Sequence, residues 1–261
     1  MGVWVTTIAG ETRAPERVNY IKVPGRSGTL KMTEGDNVYD AYTMQIVITA
    51  QRNGNLERLT EWLSGSGDLI LSDSPNRARE AEISSLLAFN NISNDLCQAT
   101  IPFYCQPFKK QFPSEGYFLG QTETYSIYNP GNVPSKPLVI IPANSATPSL
   151  RIANRQMNFS AQTFSASKAY APGDFVVYDI NGIYRFTQAK SAGAWDASKV
   201  MAIGNIVIDC EAKAVYAETN GVYSVFQGNI TGDFFEIPVG SSYVYATQAN
   251  SPKIQPRWRW L

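Results

Sequence analysis

The 261-residue chain is long enough for two ordinary domains or one large all-β domain, and 44% hydrophobic residues supply a core. Its 22 Lys plus Arg cancel 22 Asp plus Glu, so no overall field recruits nucleic acid or an anionic membrane surface, and at 17% charged residues the surface should be uncharged, polar and partly aromatic. Histidine is absent, which excludes Ser-His and Cys-His nucleophile pairs, imidazole-ligated zinc, and the side chain best suited to general acid–base chemistry near neutrality.

The N-terminal MGVWVTTIAG has neither a basic region nor a long apolar run, so no classical export signal is expected, and Gly2 with Thr6 is only a fragmentary myristoylation match. No stretch approaches the ~20 apolar residues of a membrane-spanning helix. Residues 24 to 28, PGRSG, read as a tight reversal between two strands. TMQIVITA (43 to 50) alternates Met44, Ile46, Ile48 and Ala50 against Gln45, Val47 and Thr49, the period of a half-buried strand. One helix follows: Asn55 can cap it, Glu57 lies in its first turn, Leu56, Leu59, Trp62 and Leu63 recur at helical spacing, and Gly65 ends it. Further strands are predicted at 68 to 72, 99 to 105, 137 to 142, 174 to 178, 182 to 187, 205 to 209, 222 to 226 and 243 to 246, punctuated by NPGNVP (129 to 134), Asn181-Gly182, Asn220-Gly221 and VGSS (239 to 242). The expected fold is mainly β, with one helix in its N-terminal half.

Texture divides the chain into an N-terminal domain (1–110), a connection (111–122) and a second domain (123–261) interrupted by an aromatic insertion (164–203). Three scattered cysteines, Cys97, Cys105 and Cys210, suit folding in a reducing cytoplasm; Cys97 and Cys105 fall on one face of a regular strand and, without a second pair or a His, read as small buried hydrophobes, not a zinc site. Asp209 reads as a hydrogen-bonded turn carboxylate. In the terminal RWRWL, alternation puts Trp258 and Trp260 on one face and Arg257 and Arg259 on the other, a closing strand or an assembly contact.

The order of VNYIKVPGRSGTL (18 to 30), LERLTEWLSGSGDLILSDSP (56 to 75), ATIPFYCQPF (99 to 108), SIYNPGNVPSKPLVIIP (126 to 142), IVIDCEAKAVY (206 to 216) and PKIQPRWRWL (252 to 261) resembles siphophage distal tail proteins over nearly the whole chain outside the insertion. The simplest members lack that insertion, and the family usually carries a short extra segment before the stretch matched by GVWVTTIAG. The resemblance implies an N-terminal β-sandwich-like domain with one helix and a C-terminal galectin-like β-sandwich. It further implies a homohexameric ring, closing the distal end of a tail tube by a repeated heterologous interface that also covers sticky sheet edges. The implied partners are the tail tube protein, a tail-associated tip protein and receptor-binding or baseplate proteins. DNA meets the chain only in transit through the lumen, and assembly in the host cytoplasm ends in a virion tail tip.

Within the insertion, KAYAPGDFVVYDINGIYRFTQAKSAGAWDASKV (168 to 200) is similar to small chitin-binding-type carbohydrate-binding modules, which run AY, GD, V, Y, a G turn, Y and W in this order. Sugar rings present flat apolar faces edged by hydroxyls, which exposed Tyr and Trp planes hold without charge or metal. The candidates are Trp195, Tyr184, Tyr178 and Tyr170, implying a host cell-wall glycan as ligand. The same aromatics could equally form a miniature core, with Trp195 stacked on its own hairpin. The competing reading of the whole chain is a free carbohydrate-binding protein without a ring. No catalytic residue, metal or cofactor is expected: the nearest carboxylate pairs for glycoside hydrolysis, Asp68 with Asp73, Glu80 with Glu82 and Asp36 with Asp40, lie in no recognisable catalytic setting.

Overall fold

The computed structural model describes residues 3–11, 13–33, 35, 38–52, 56–83, 85, 88–114, 116, 118–119, 124–178, 182–247 and 251–261. Gly2, Asp36, the cap at Asn55, Asn181 of the predicted turn and much of the 111–122 connection lie outside them. The fold is mainly β. It forms two compact units, residues 1–113 with 259–261, and residues 114–258.

In the first unit a seven-stranded sheet runs in the order Val3–Ala9, Tyr42–Gln51, Leu96–Gln111, Arg77–Ile83, Gly65–Ile70, with Asn90–Asn91 and Arg259–Trp260 also paired to Leu96–Gln111. The alternation of 43 to 50 is realised: Met44, Ile46, Ile48 and Ala50 are buried. They share a core with Cys97, Ala99, Ile101 and Cys105 across the sheet. The long strand changes partners along its length. It pairs with 42–51 up to Cys105; beyond that, Lys109 and Lys110 pair with Trp260 and Arg259. Its register against Arg77–Ile83 slips between Arg79 and Ala81, opposite the stretch containing Pro107, whose missing N–H suits a bulge.

The helix, Leu56–Trp62, drops Leu59 and Leu63 into this core. Trp62 does not follow them: it is 76% exposed, because the face turned to the core is the one shared by Leu56, Leu59 and Leu63, and Trp62 lies off it. The predicted reversal is a hairpin, Val18–Lys22 with Thr29–Thr33. Arg26 N–H donates to the Val23 carbonyl around Pro24 and Gly25, and Gly25 has φ 78°, which is a type II turn with proline and glycine in their preferred places. The hairpin pairs with no other strand among the described residues, and its Tyr20, Ile21, Leu30 and Met32 are exposed.

The second unit is a β-sandwich with an added module. One sheet has five strands, in the order Thr124–Asn129, Gly240–Thr247, Ser149–Ile152, Arg155–Ser160, Asn229–Gly232. The other has six: Val222–Val225, Ala214–Thr219, Asn205–Asp209, Leu138–Pro142, Lys253–Gln255, Phe118–Leu119. The inner strands turn one face to the core, with Ile127, Leu150, Met157, Phe159 and Val244 from the first sheet and Val139, Ile141, Ile206, Ile208 and Ile254 from the second. The NPGNVP turn is held from inside. Buried Asn129 donates to the Val133 and Ile237 carbonyls and accepts from Gly131 N–H, which satisfies an amide that would otherwise be costly to bury. Residues 162–202 form a separate four-stranded sheet, Gln162–Thr163, Phe175–Val177, Ile183–Phe186 and Val200–Ala202.

Candidate functional site

The module gathers the aromatic candidates around one cluster. Tyr170, Val176 and Phe186 are its buried members; Phe164, Tyr184, Trp195 and Val200 pack against them half-buried. Strand 175–177 has no solvent face. Val176 points into this cluster, while Phe175 packs edge-on against Phe226 of the sandwich, ring centroids 5.1 Å apart.

Tyr170 belongs to the core. Its ring stacks on Phe186 (4.7 Å, 8°) and on Phe164 (5.4 Å, 24°), and its hydroxyl accepts the Ser165 N–H at 2.8 Å, so it offers no open plane to a sugar. Trp195 contacts four rings: stacked on Tyr178 at 4.0 Å and 8°, and edge-on to Phe164, Tyr184 and Phe186. Tyr178 is the outermost of the set, 47% exposed, with one face against Trp195. Tyr184 is half-buried beside the same indole. Trp195, Tyr178 and Tyr184 therefore form one contiguous aromatic group at the module surface, with Tyr170 beneath.

Local polar bonds set the indole's position. After Trp195, Asp196 caps a short 3₁₀ turn by accepting from Ser198 N–H and Oγ–H, which holds its carboxyl below the ordinary range. Before it, Lys190 is buried, yet its ammonium donates to the Ser191 and Gly193 carbonyls, both at 2.9 Å, and lies 5.3 Å from the Phe164 ring centre. Phe164 and Lys190 were not among the sequence candidates. Phe164 precedes the matched stretch, and a lysine satisfied by carbonyls of its own loop leaves no spacing pattern.

The other sequence candidates build no enclosed site, although pairing sets Asp68 directly opposite Glu80 on the sheet. Asp68, Asp73, Glu80 and Glu82 are exposed, Glu80 facing Lys110 at 3.4 Å, and Asp40 pairs with Arg17 at 2.6 Å. Among the described residues no group of three or more Cys, Asp and Glu gathers as a metal site. Cys97, Cys105 and Cys210 are buried free thiols, and burial pushes Cys210 up to about 12. Asp209 is indeed a turn carboxylate, accepting the Glu211 and Ala212 N–H groups at 3.0 Å, and it also takes a two-pronged ion pair from Arg257 at 2.9 and 3.2 Å. That pair explains why RWRWL does not alternate. Arg257 has φ 54°, which breaks the extended run; Trp258 is buried in the second unit, while Arg259 is buried over Phe108 and Trp260 lies under the Arg77 guanidinium in the first.

No protein-family model matches this chain, and no curated protein does. Among solved structures, one described as "SPP1 Dit (gp 19.1) Protein, a Paradigm of Hub Adsorption Apparatus in Gram-positive Infecting Phages" matches with a TM-score of 0.58 at 15% sequence identity, over 99% of this chain and 94% of that one. The likeness is one of fold: the chain carries the Dit architecture from end to end.

Proposed function

We propose that this chain is a structural hub of a phage tail tip. The observation that carries the reading is the span of the match, which takes in both units of this chain and nearly all of a protein described as a phage adsorption hub. In this reading the first units associate into a homohexameric ring at the distal end of the tail tube. The tail tube protein lies on one side, and the tail-associated tip protein with receptor-binding or baseplate proteins on the other, while DNA passes only through the lumen. Assembly takes place in the host cytoplasm, and the finished protein resides in the virion.

The surface of the first unit supports self-association. Strand Val3–Ala9 lies at a sheet edge with Trp4, Val5 and Ile8 exposed, and the hairpin and Trp62 add further apolar area. Exposed sheet edges with large apolar side chains favour pairing with another chain, and a closed ring uses up every such edge. The insertion is assigned a subsidiary role, weak binding of a host cell-wall glycan through Tyr178, Trp195 and Tyr184, multiplied by the number of copies in the ring.

The test is the mass of the purified protein at several concentrations, with negative-stain images. A sixfold species or annular particles are expected, and Trp4→Ser with Tyr20→Ser should lower that fraction without changing the melting temperature. A protein that stays monomeric at all concentrations and is missing from purified virions would overturn the hub reading.

A further inference from the structure

The outer face of the five-stranded sheet has a composition unlike the rest of the surface. Strand pairing sets Tyr128 opposite Ser241, so Tyr243, two residues further along the same strand, lies diagonal to it; Arg151 pairs with Tyr245 and Gln156 with Arg151. Residues opposite one another in a ladder share a face, and diagonal neighbours lie within reach of aromatic side chains. Tyr128 and Tyr243 are 64% and 59% exposed, the Tyr243 and Tyr245 rings are 6.3 Å apart, and the Arg151 guanidinium lies 4.1 Å from the centre of the Tyr245 ring. The result is a diagonal aromatic strip with a cation at one end. Beside it, Gln156 donates to Asn158 at 2.8 Å, and Asn158 donates on to Thr231, so these amides are ordered on the face.

Two features of this face point to the class of ligand. No residue that pairing places on it is a carboxylate, a lysine or an aliphatic larger than alanine; tyrosines, hydroxyls and amides fill it, the mixture that meets a sugar's flat apolar face and its ring of hydroxyls. The single charge, Arg151, has its guanidinium on the Tyr245 ring with no hydrogen bond and no ion pair among the described residues, in contrast to Arg155 on the neighbouring strand, which is paired with Glu236. A planar guanidinium with its donor edge unused is suited to a carboxylate or phosphate. A neighbouring protein would be met by a different surface, one with a buried apolar centre; that chemistry lies on the first unit's edge strand and hairpin.

We propose that this sheet face is a second saccharide site, separate from the inserted module and independent of the module's own role: Tyr128 and Tyr243 stack sugar rings, and Arg151, held on the Tyr245 ring, pairs with an anionic substituent on the chain. The ligand class is an acidic glycan, its charge carried by a uronate or by a phosphodiester.

Affinity electrophoresis of the full chain through gels containing polygalacturonate, phosphomannan or neutral dextran tests this. The wild type is retarded by at least one acidic polymer more than by dextran, and which of the two acts tells uronate from phosphate. Tyr243→Ala weakens that retardation about tenfold, the loss of one ring stack plus its burial. Arg151→Gln lowers binding of the acidic polymer to the dextran level. Tyr223→Ala, an exposed tyrosine on the other sheet of the sandwich, leaves it unchanged. Because Tyr243 is exposed, its loss should not alter the melting temperature; if it does, Tyr128→Ala serves in its place. A wild type that no acidic polymer retards, retardation unaffected by either Tyr243→Ala or Tyr128→Ala, or retardation lowered equally by Tyr223→Ala would each overturn the assignment.

Discussion

Replacing Trp195 by Ala separates the two uses of the module's aromatics. The indole stacks on Tyr178 at 4.0 Å and meets Phe164, Tyr184 and Phe186 edge-on between 5.1 and 6.2 Å. A fully buried Trp→Ala change costs ~3–5 kcal/mol; Trp195 is half-buried but in contact with four rings, so the cost should be about 2–3 kcal/mol. Among the described residues the cluster it packs on has three buried members, Tyr170, Val176 and Phe186, so little else there absorbs the loss. Hydrogen exchange followed by mass spectrometry should show protection in strands 175–177 and 183–186 falling by about 30- to 150-fold, with strands 138–142 and 205–209 unchanged. Tyr178→Ala removes one stack from the rim, about 1 kcal/mol, and leaves the fold in place. Tyr178→Ala is therefore the variant that reports on glycan binding, whereas lost binding in Trp195→Ala follows from lost structure as readily as from a lost contact. Unchanged protection in Trp195→Ala would refute the core role; loss of protection throughout the second unit would refute the module's independence.

The Asp209–Arg257 pair makes a pH prediction. Burial alone would raise the Asp209 carboxyl, but the Arg257 guanidinium and the Ala212 and Glu211 N–H groups together hold it below its ordinary value. A depressed folded-state value means the stabilisation is fully present above the unfolded pKa, ~3.9, and is lost as pH falls through the lower folded value. Asp209→Asn should cost about 2 kcal/mol at pH 7 in a denaturant titration, and the gap from wild type should narrow below about pH 4. The thiols give a second: with Cys210 raised to about 12 by burial and Cys97 and Cys105 also buried, iodoacetamide at pH 8 should label none of the three in the native protein and all of them in guanidinium, as read by intact mass.

Local periodicity carried the reading of the chain wherever one residue pattern decides the structure. Strand 42–51 alternates large aliphatics with polar residues, and the hairpin turn rests on Pro24-Gly25, so both were legible. Strand Arg77–Ile83 gives no such signal because its buried positions are Ala78, Arg79 and Ala81, with no large aliphatic to stand out among charged neighbours. Trp62 satisfied the helical spacing, yet the helix faces the core along Leu56, Leu59 and Leu63, and nothing local says which flank of that stripe the sheet leaves uncovered. The break at Arg257 comes from a carboxylate 48 residues earlier, a contact no local window contains. The aromatic candidates were gathered in one place, but which of them faces outward depended on Phe164 and Phe186, whose rings close both faces of Tyr170.

The module's attachment bears on what its binding could accomplish. It shares a core with the sandwich: Phe175 packs on Phe226 at 5.1 Å, and Phe226 on Phe159, which is buried between the sandwich sheets, at 6.2 Å. The chain leaves this column through Gly228, where a Cβ would come within 2.4 Å of the Phe226 ring and 2.5 Å of the Ser160 carbonyl, so only glycine permits the approach. A module held by a flexible linker loses part of each added contact to the entropy of restraining it. One seated on a shared aromatic column keeps its Tyr178 edge at a set position on its own sandwich. Under the hub reading, repeated copies then present their aromatic edges at fixed spacing, and weak single contacts add to a firm grip only where the spacing of ligands on the host surface matches it.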